Sequence, residues 1–207
     1  ANSAYSFDGV NDYINTNTQF IPNGETQWSI SLWYKVDVNG FSGQTSLFND
    51  RGQCANCWNY KHAINIPSVT GTSHNISGYT INSTGHTSVV DSITNLPFGW
   101  HFVTMSVDYD KDSTHLFIDG EKVDSKLMTA GPPSPYTAGE HFSLIGARNR
   151  PNSPFSEFFK GSVDDIKIYN KALTQVEVLD LYDGTENNTS CTDTVLITVY
   201  DTLTTNV

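Results

Sequence analysis

Strict alternation with a period of two runs through most of this chain, and apolar residues at every second position mark half-buried β-strands. Over 28–36, Trp28, Ile30, Leu32, Tyr34 and Val36 share one face, with Ser29, Ser31 and Lys35 opposite. Trp33 interrupts the polar face, which predicts partial cover on that side as well. Over 100–109, His101, Val103, Met105, Val107 and Tyr109 alternate with Phe102, Thr104, Ser106 and Asp108. The run 114–118 and the residues after Glu121 flank Asp119-Gly120, a dipeptide suited to a two-residue hairpin because both residues tolerate positive φ. Further strands are predicted at 4–7, 12–15, 45–49, 61–66, 77–82, 86–91, 141–146 and 161–169. Short strands at this spacing, separated by Gly, Asn, Pro and Ser, predict an antiparallel sandwich.

One helix is predicted, over 175–182. Thr174-Gln-Val-Glu177 is a capping box, with Leu173 and Val178 placed as its hydrophobic staple and Gly184 as its end. Beyond it the chain turns polar and Thr-rich. The predicted organisation is therefore one domain over 1–184 and a linker or spacer over 185–207.

Composition narrows the partners. The chain has 207 residues, with Lys+Arg 11 against Asp+Glu 22, a formal net charge of −11. So acidic a protein lacks the basic surface that nucleic acid requires, and an anionic membrane is disfavoured for the same reason. No apolar run approaches the roughly 20 residues of a membrane-spanning helix. Three cysteines are present, Cys54, Cys57 and Cys191. Cys54-Ala-Asn-Cys57 has no second pair or nearby histidines to make a zinc site. It reads as a small disulfide-closed loop of an oxidising compartment, with free thiols as the alternative.

Five segments in order resemble the laminin-G-like (LamG/pentraxin-like) domains of the concanavalin A-like lectin/glucanase superfamily. They are Phe7-Asp8-Gly9-Val-Asn-Asp12-Tyr13-Ile14, Trp28-Ser-Ile-Ser-Leu-Trp33, Trp100-His101-Phe-Val103, Leu116-Phe-Ile-Asp119-Gly120, and Gly161-Ser-Val-Asp164-Asp165-Ile-Lys-Ile-Tyr169. The resemblance covers residues 4–183. It implies a concanavalin A-like jelly-roll β-sandwich, all-β with one short C-terminal helix, whose first and last strands are adjacent. It also implies a structural calcium ion and glycan binding. The tail resembles the Thr-rich spacers of secreted bacterial proteins.

Two sets of residues are candidates for chemistry. Period two puts Asp164 on one face with Ile166 and Ile168, and a carboxylate turned inward there needs a cation partner or a metal. The adjacent first strand would bring Asp8, Asn11 and Asp12, an all-oxygen set that suits Ca²⁺. The alternative is that Asp8 and Asp12 cap turns and Asp164 accepts from backbone amides. The second set lies in 50–62, where Arg51, Asn56, Trp58 and Tyr60 crowd around the cysteine pair. An aromatic face can pack on a sugar ring while amide and guanidinium groups bond its hydroxyls, and a stiffened loop loses less entropy on binding. The alternative is that Trp58 and Tyr60 point into the core. Arg148 and Arg150, two of three arginines in the chain, are candidate contacts for an acidic glycan, with an ordinary surface loop as the alternative.

Paired carboxylates in the spacing used by the superfamily's hydrolases are missing, as are the strand motifs of its lyases. The histidines show no catalytic spacing; His101 reads as a packed strand residue and the others as mostly exposed. The expectation is a non-catalytic, calcium-stabilised carbohydrate-binding or adhesion module, secreted or at the cell surface, with other domains in its parent chain. A structural spacer without a glycan ligand is the second reading, and a polysaccharide-degrading enzyme the third.

Overall fold

The computed structural model describes residues 4–17, 19–21, 24–37, 43–53, 62–84, 87–91, 95–133, 140–150 and 153–185. For residues 51–53, 87–91, 140, 141, 150 and 153 it describes the backbone alone. The first strands are β1 (Tyr5–Asp8), β2 (Ile14–Asn15), β3 (Gln27–Val36), β4 (Thr45–Gln53), β5 (His62–Ile66), β6 (Val69–Thr70), β7 (Ser73–His74) and β8 (Ser77–Ile81). Then come β9 (Thr87–Asp91), β10 (Leu96–Pro97), β11 (Trp100–Asp108), β12 (Ser113–Ile118), β13 (Glu121–Leu127) and β14 (Glu140–Ile145). The last are β15 (Arg148–Arg150), β16 (Ser153–Ser156), β17 (Lys160–Tyr169) and the helix α1 (Gln175–Asp183).

Two six-stranded antiparallel sheets make the sandwich. The first has the order β1-β17-β3-β11-β12-β13 and the second β2-β14-β4-β5-β8-β9. The first and last strands are hydrogen-bonded neighbours, Phe7 opposite Gly161. A small sheet, β10-β7-β6, and the hairpin β15-β16 complete it. Every predicted strand is present, as is the jelly-roll arrangement. The two-residue strands of the small sheet were not expected, because so short a run carries no period.

The alternating faces are the inward faces. Trp28, Ile30, Leu32, Tyr34 and Val36 of β3 and Val103, Met105 and Val107 of β11 are all buried in one core. They meet Phe48, Ile64, Ile66 and Ile145 of the second sheet. Burying each such side chain contributes roughly 1.5–3 kcal/mol. Asp119 and Gly120 adopt φ 50° and 83°, the doubly positive pair that a type I′ turn between twisted strands requires.

The helix lies on the outer face of the first sheet. The Thr174 hydroxyl accepts from the Glu177 amide at 3.4 Å and Glu177 Oε2 accepts from the Thr174 amide at 2.8 Å, closing the box. Gly184 ends the helix at φ 66°. Leu173 and Val178 are buried with Phe102, Phe117 and Tyr169. Tyr182 stacks on Trp33 with ring centroids 5.6 Å apart. This is the cover that Trp33 demanded of its otherwise polar face.

Candidate functional site

The four expected calcium ligands do not converge. β1 pairs with β17 so that Asp8 faces Lys160, whereas Asp164 lies four residues further along β17, roughly 13 Å at about 3.3 Å per residue. The inward reading of Asp164 is corrected by a bulge. β17 takes three steps from Asp164 to Lys167 while β3 takes two from Trp33 to Ser31, with Asp165 at φ 51°. One extra residue inverts the parity of everything after it. Val163 before the bulge and Ile168 after it are both in the core, with Ile166 packed against it. Asp164 is left on the outer face, its Oδ1 accepting from the Asp165 amide at 2.9 Å.

Asp8, Asn11 and Asp12 form a self-contained turn. Asp8 Oδ1 accepts from the amides of Val10 at 2.7 Å and Asn11 at 3.2 Å, and Asp12 Oδ2 accepts from the Asp8 amide at 2.8 Å. The Val10 amide in particular holds the Asp8 carboxyl below its ordinary range. These oxygens are engaged in capping, so Asp8, Asn11, Asp12 and Asp164 do not fit one calcium site. Among the described residues no three His, Cys, Asp or Glu side chains gather around a point.

Arg148 is also corrected, from ligand contact to structural cation. It is buried, with Nη1 donating to Glu157 Oε1 at 2.5 Å. The β15–β16 hairpin lies against β4, where the Asn149 amide donates to Asn49 Oδ1 at 3.3 Å. Phe142, Leu144 and Ala147 form a small cluster there, with Phe155 and Phe158 packed against it. That cluster and the buried ion pair seal this part of the second sheet.

Arg51 sits on β4 opposite Phe142, and Arg150 on β15 opposite Ser153. Cys54, Asn56, Cys57, Trp58 and Tyr60, and with them the expected disulfide, lie outside the described residues. Their frame is described. β4 ends at Gln53, β5 begins at His62, and the two pair through Asp50 and His62. His62 is buried, its Nδ1 bonded to Thr80 Oγ1 at 3.0 Å and its ring 4.4 Å from that of Trp28.

A second buried polar chain escaped sequence reasoning. His101 Nδ1 pairs with Asp119 Oδ2 at 2.7 Å, and Asp119 Oδ1 accepts from the Phe102 amide at 2.8 Å. His101 Nε2 reaches the Pro97 carbonyl at 2.9 Å. Tyr34 Oη bonds His74 Nε2 at 2.9 Å, and His74 lies flat against Phe98. Burial first, and then the neighbouring His101, push the His74 pKa down to about 4. Burial, with the Asp119 charge, pushes Tyr34 well up. The expectation that His62 and His74 are exposed is thus overturned: packing buried both, and hydrogen bonds made that possible. This chain fastens residues 95–101 onto the sheet. Tyr34 and His74 are closed to solvent, at 0% and 1% exposed, while the Asp119 side chain at the other end is 34% exposed.

The architecture and the sequence agree on a class. The family model described as the concanavalin A-like lectin/glucanases superfamily, Laminin_G_3, matches residues 8–179, and the chain belongs to that family. No curated protein matches it in sequence. Solved structures with the same fold include a heptameric SAP-like pentraxin from Limulus polyphemus, at TM-score 0.64 and 14% identity over 86% of this chain and 80% of that one. The CBM40 of a Ruminococcus gnavus IT-sialidase, bound to α2,3-sialyllactose, superposes at TM-score 0.66 with 15% identity over 86% and 95%. A NanB sialidase from Streptococcus pneumoniae matches at TM-score 0.68 and 19% identity, over 86% of this chain but 27% of that one.

Proposed function

We propose that the protein is a non-catalytic carbohydrate-binding module that docks glycans reversibly through the β4–β5 end of its second sheet. The observation that carries this reading is the family membership of residues 8–179 together with a fold shared with a module solved on sialyllactose. The chemistry of the connection supports it. Residues 50–62 supply Arg51, Asn56, Trp58 and Tyr60 between the buried strand-end residues Asp50 and His62. A Cys54–Cys57 disulfide would stiffen that segment and reduce the ordering entropy of binding. Arg51 and Arg150 are the cations offered to an acidic sugar, Arg148 being committed to Glu157. The proposal includes a secreted or cell-surface location and a place beside other domains in a longer chain.

A glycan array tests it. The full chain should give saturable binding to a subset of glycans, and Trp58→Ala should abolish the signal from the acidic glycans among them with the melting temperature unchanged. A blank array would favour a spacer without a glycan ligand. Release of reducing sugar from a polysaccharide panel would favour an enzyme.

A further inference from the structure

The open half of the first sheet carries a row of side chains that the proposed loop site does not use. Cross-strand register aligns Ser6 with Ser162, Ser162 with Lys35, and Lys35 with Trp100. These are direct neighbours on four consecutive strands, β1, β17, β3 and β11. At about 4.8 Å between strands the row spans roughly 14 Å. All four lie on the outer face, because Phe7, Val163, Tyr34, Val36 and Val103 on either side of them are buried in the core. Ser6 and Lys35 are exposed, and Trp100 is 42% exposed.

A cleft of about 530 Å³ opens at three members of the row, Ser6, Ser162 and Lys35, and is lined also by Asp37, Phe98 and Gly99; Trp100 is not in its lining but follows Gly99 at its edge. That volume falls within the roughly 300–1,000 Å³ of small-molecule sites. The cleft also touches Gly161, at φ 150°, where a Cβ would strike the Lys35 carbonyl and the core ring of Phe159, so glycine permits the close β17–β3 approach beneath it. Its rim, Phe98–Gly99, is held by the buried His101–Pro97 and His74–Phe98 contacts, so the cleft is preformed.

Lys35 is the informative residue. Lys111, Lys126, Lys160, Lys167 and Lys171 each have a carboxylate within 4 Å. Among the described residues Lys35 and Lys122 have none, in a chain carrying 22 acidic residues, and of the two only Lys35 lines the cleft. The acidic groups nearby stand one step away on the same face. Asp37 lies just past the end of β3, two residues after Lys35, and is paired with Lys160 at 3.8 Å. Asp8 is beside Lys160 and Asp164 is two residues beyond Ser162. The row thus offers donors at its centre, the Lys35 ammonium and two hydroxyls, with carboxylate acceptors flanking it.

We propose that this row is a second carbohydrate site, selective for a neutral pyranose. A sugar hydroxyl both donates and accepts, which matches central donors and flanking acceptors. The apolar face of a pyranose suits the flat, half-exposed Trp100. Three flanking aspartates against Lys35 and the already paired Lys160 would repel an acidic sugar. The site lies on the opposite sheet from the β4–β5 connection and stands or falls separately from it.

Shift mapping of the ¹⁵N-labelled full chain tests this, using lactose, maltose and cellobiose as neutral probes and 3′-sialyllactose as the acidic one. At least one neutral disaccharide should move the Trp100 indole and the Lys35 and Ser162 amides saturably. Trp100→Ala and Lys35→Ala should each weaken that binding at least tenfold at unchanged melting temperature, while Trp58→Ala leaves it intact. The proposal is overturned if none of the three neutral sugars moves these resonances, if sialyllactose moves them more strongly, or if both row variants bind as before. Loss of array binding in Trp58→Ala with these shifts retained would separate the two sites.

Discussion

Arg148 and Lys35 are both cations on outer faces of the sandwich, and the fold treats them in opposite ways. Arg148 is sealed under the β15–β16 hairpin against Glu157, with side-chain exposures of 9% and 12%. Lys35 projects from an open sheet into a cleft and has no acidic partner among the described residues. A buried cation must be paired, and its partner is then part of the architecture. An exposed and unpaired one costs nothing to keep and is available to a ligand. Scarcity of positive charge in the sequence, which drew attention to both arginines of the 148–150 segment, does not distinguish these cases; burial does.

The largest effect should come from breaking the sealed pair. Arg148→Met removes the buried guanidinium from the Glu157 carboxylate, and breaking a buried pair from one side costs about 3–5 kcal/mol. Chemical denaturation should show that loss, and adding Glu157→Leu should recover most of it. A loss below about 1 kcal/mol for Arg148→Met would mean that the pair is solvated.

Acidification comes next. His74 titrates at about 4 in the fold against 6.5 ordinarily, so the unfolded chain binds the proton first. Stability is therefore intact above about pH 6.5 and falls as pH drops from 6.5 toward 4. The groups around the His74 ring are Tyr34, His101 and, through His101, Asp119. His74→Gln should flatten the dependence in that window; an unchanged profile would assign the acid sensitivity elsewhere.

The helix cap is a smaller term. Thr174→Ala removes the side chain that accepts from Glu177 and should cost about 1 kcal/mol. Smallest is Lys35→Ala, which should leave stability within about 0.5 kcal/mol while removing neutral-sugar binding. A large loss of stability in that variant would make Lys35 a structural residue like Arg148 and erase the contrast between them.

Much of the fold is legible in the sequence, because burial in a sandwich follows period two. Trp28 through Val36 and His101 through Tyr109 declare their inward faces, Asp119-Gly120 its turn, and Thr174 with Glu177 its helix start. Trp33, the exception to its strand, correctly announces the helix above it. The candidate site is less legible, and the reasons are local. A single extra residue at Asp165 inverts the alternation of β17, so Asp164 reads as inward when it is outward. Pairing of Arg148 with Glu157 depends on a hairpin that folds back over the second sheet, which no spacing in the chain reports. The burial of His74 depends on two-residue strands too short to show a pattern. The Ser6–Ser162–Lys35–Trp100 row joins four strands distant in sequence, and only register reveals it.

The most direct measurement of the central claim is shift mapping of the labelled protein with its strongest glycan-array ligand and, in parallel, with its strongest neutral disaccharide. Two separate clusters of moved resonances are expected, one over 50–62 and one over Ser6, Lys35, Ser162 and Trp100, with the Arg148 guanidinium unmoved. Movement centred on Arg148 and Glu157, or none anywhere under either sugar, would contradict it.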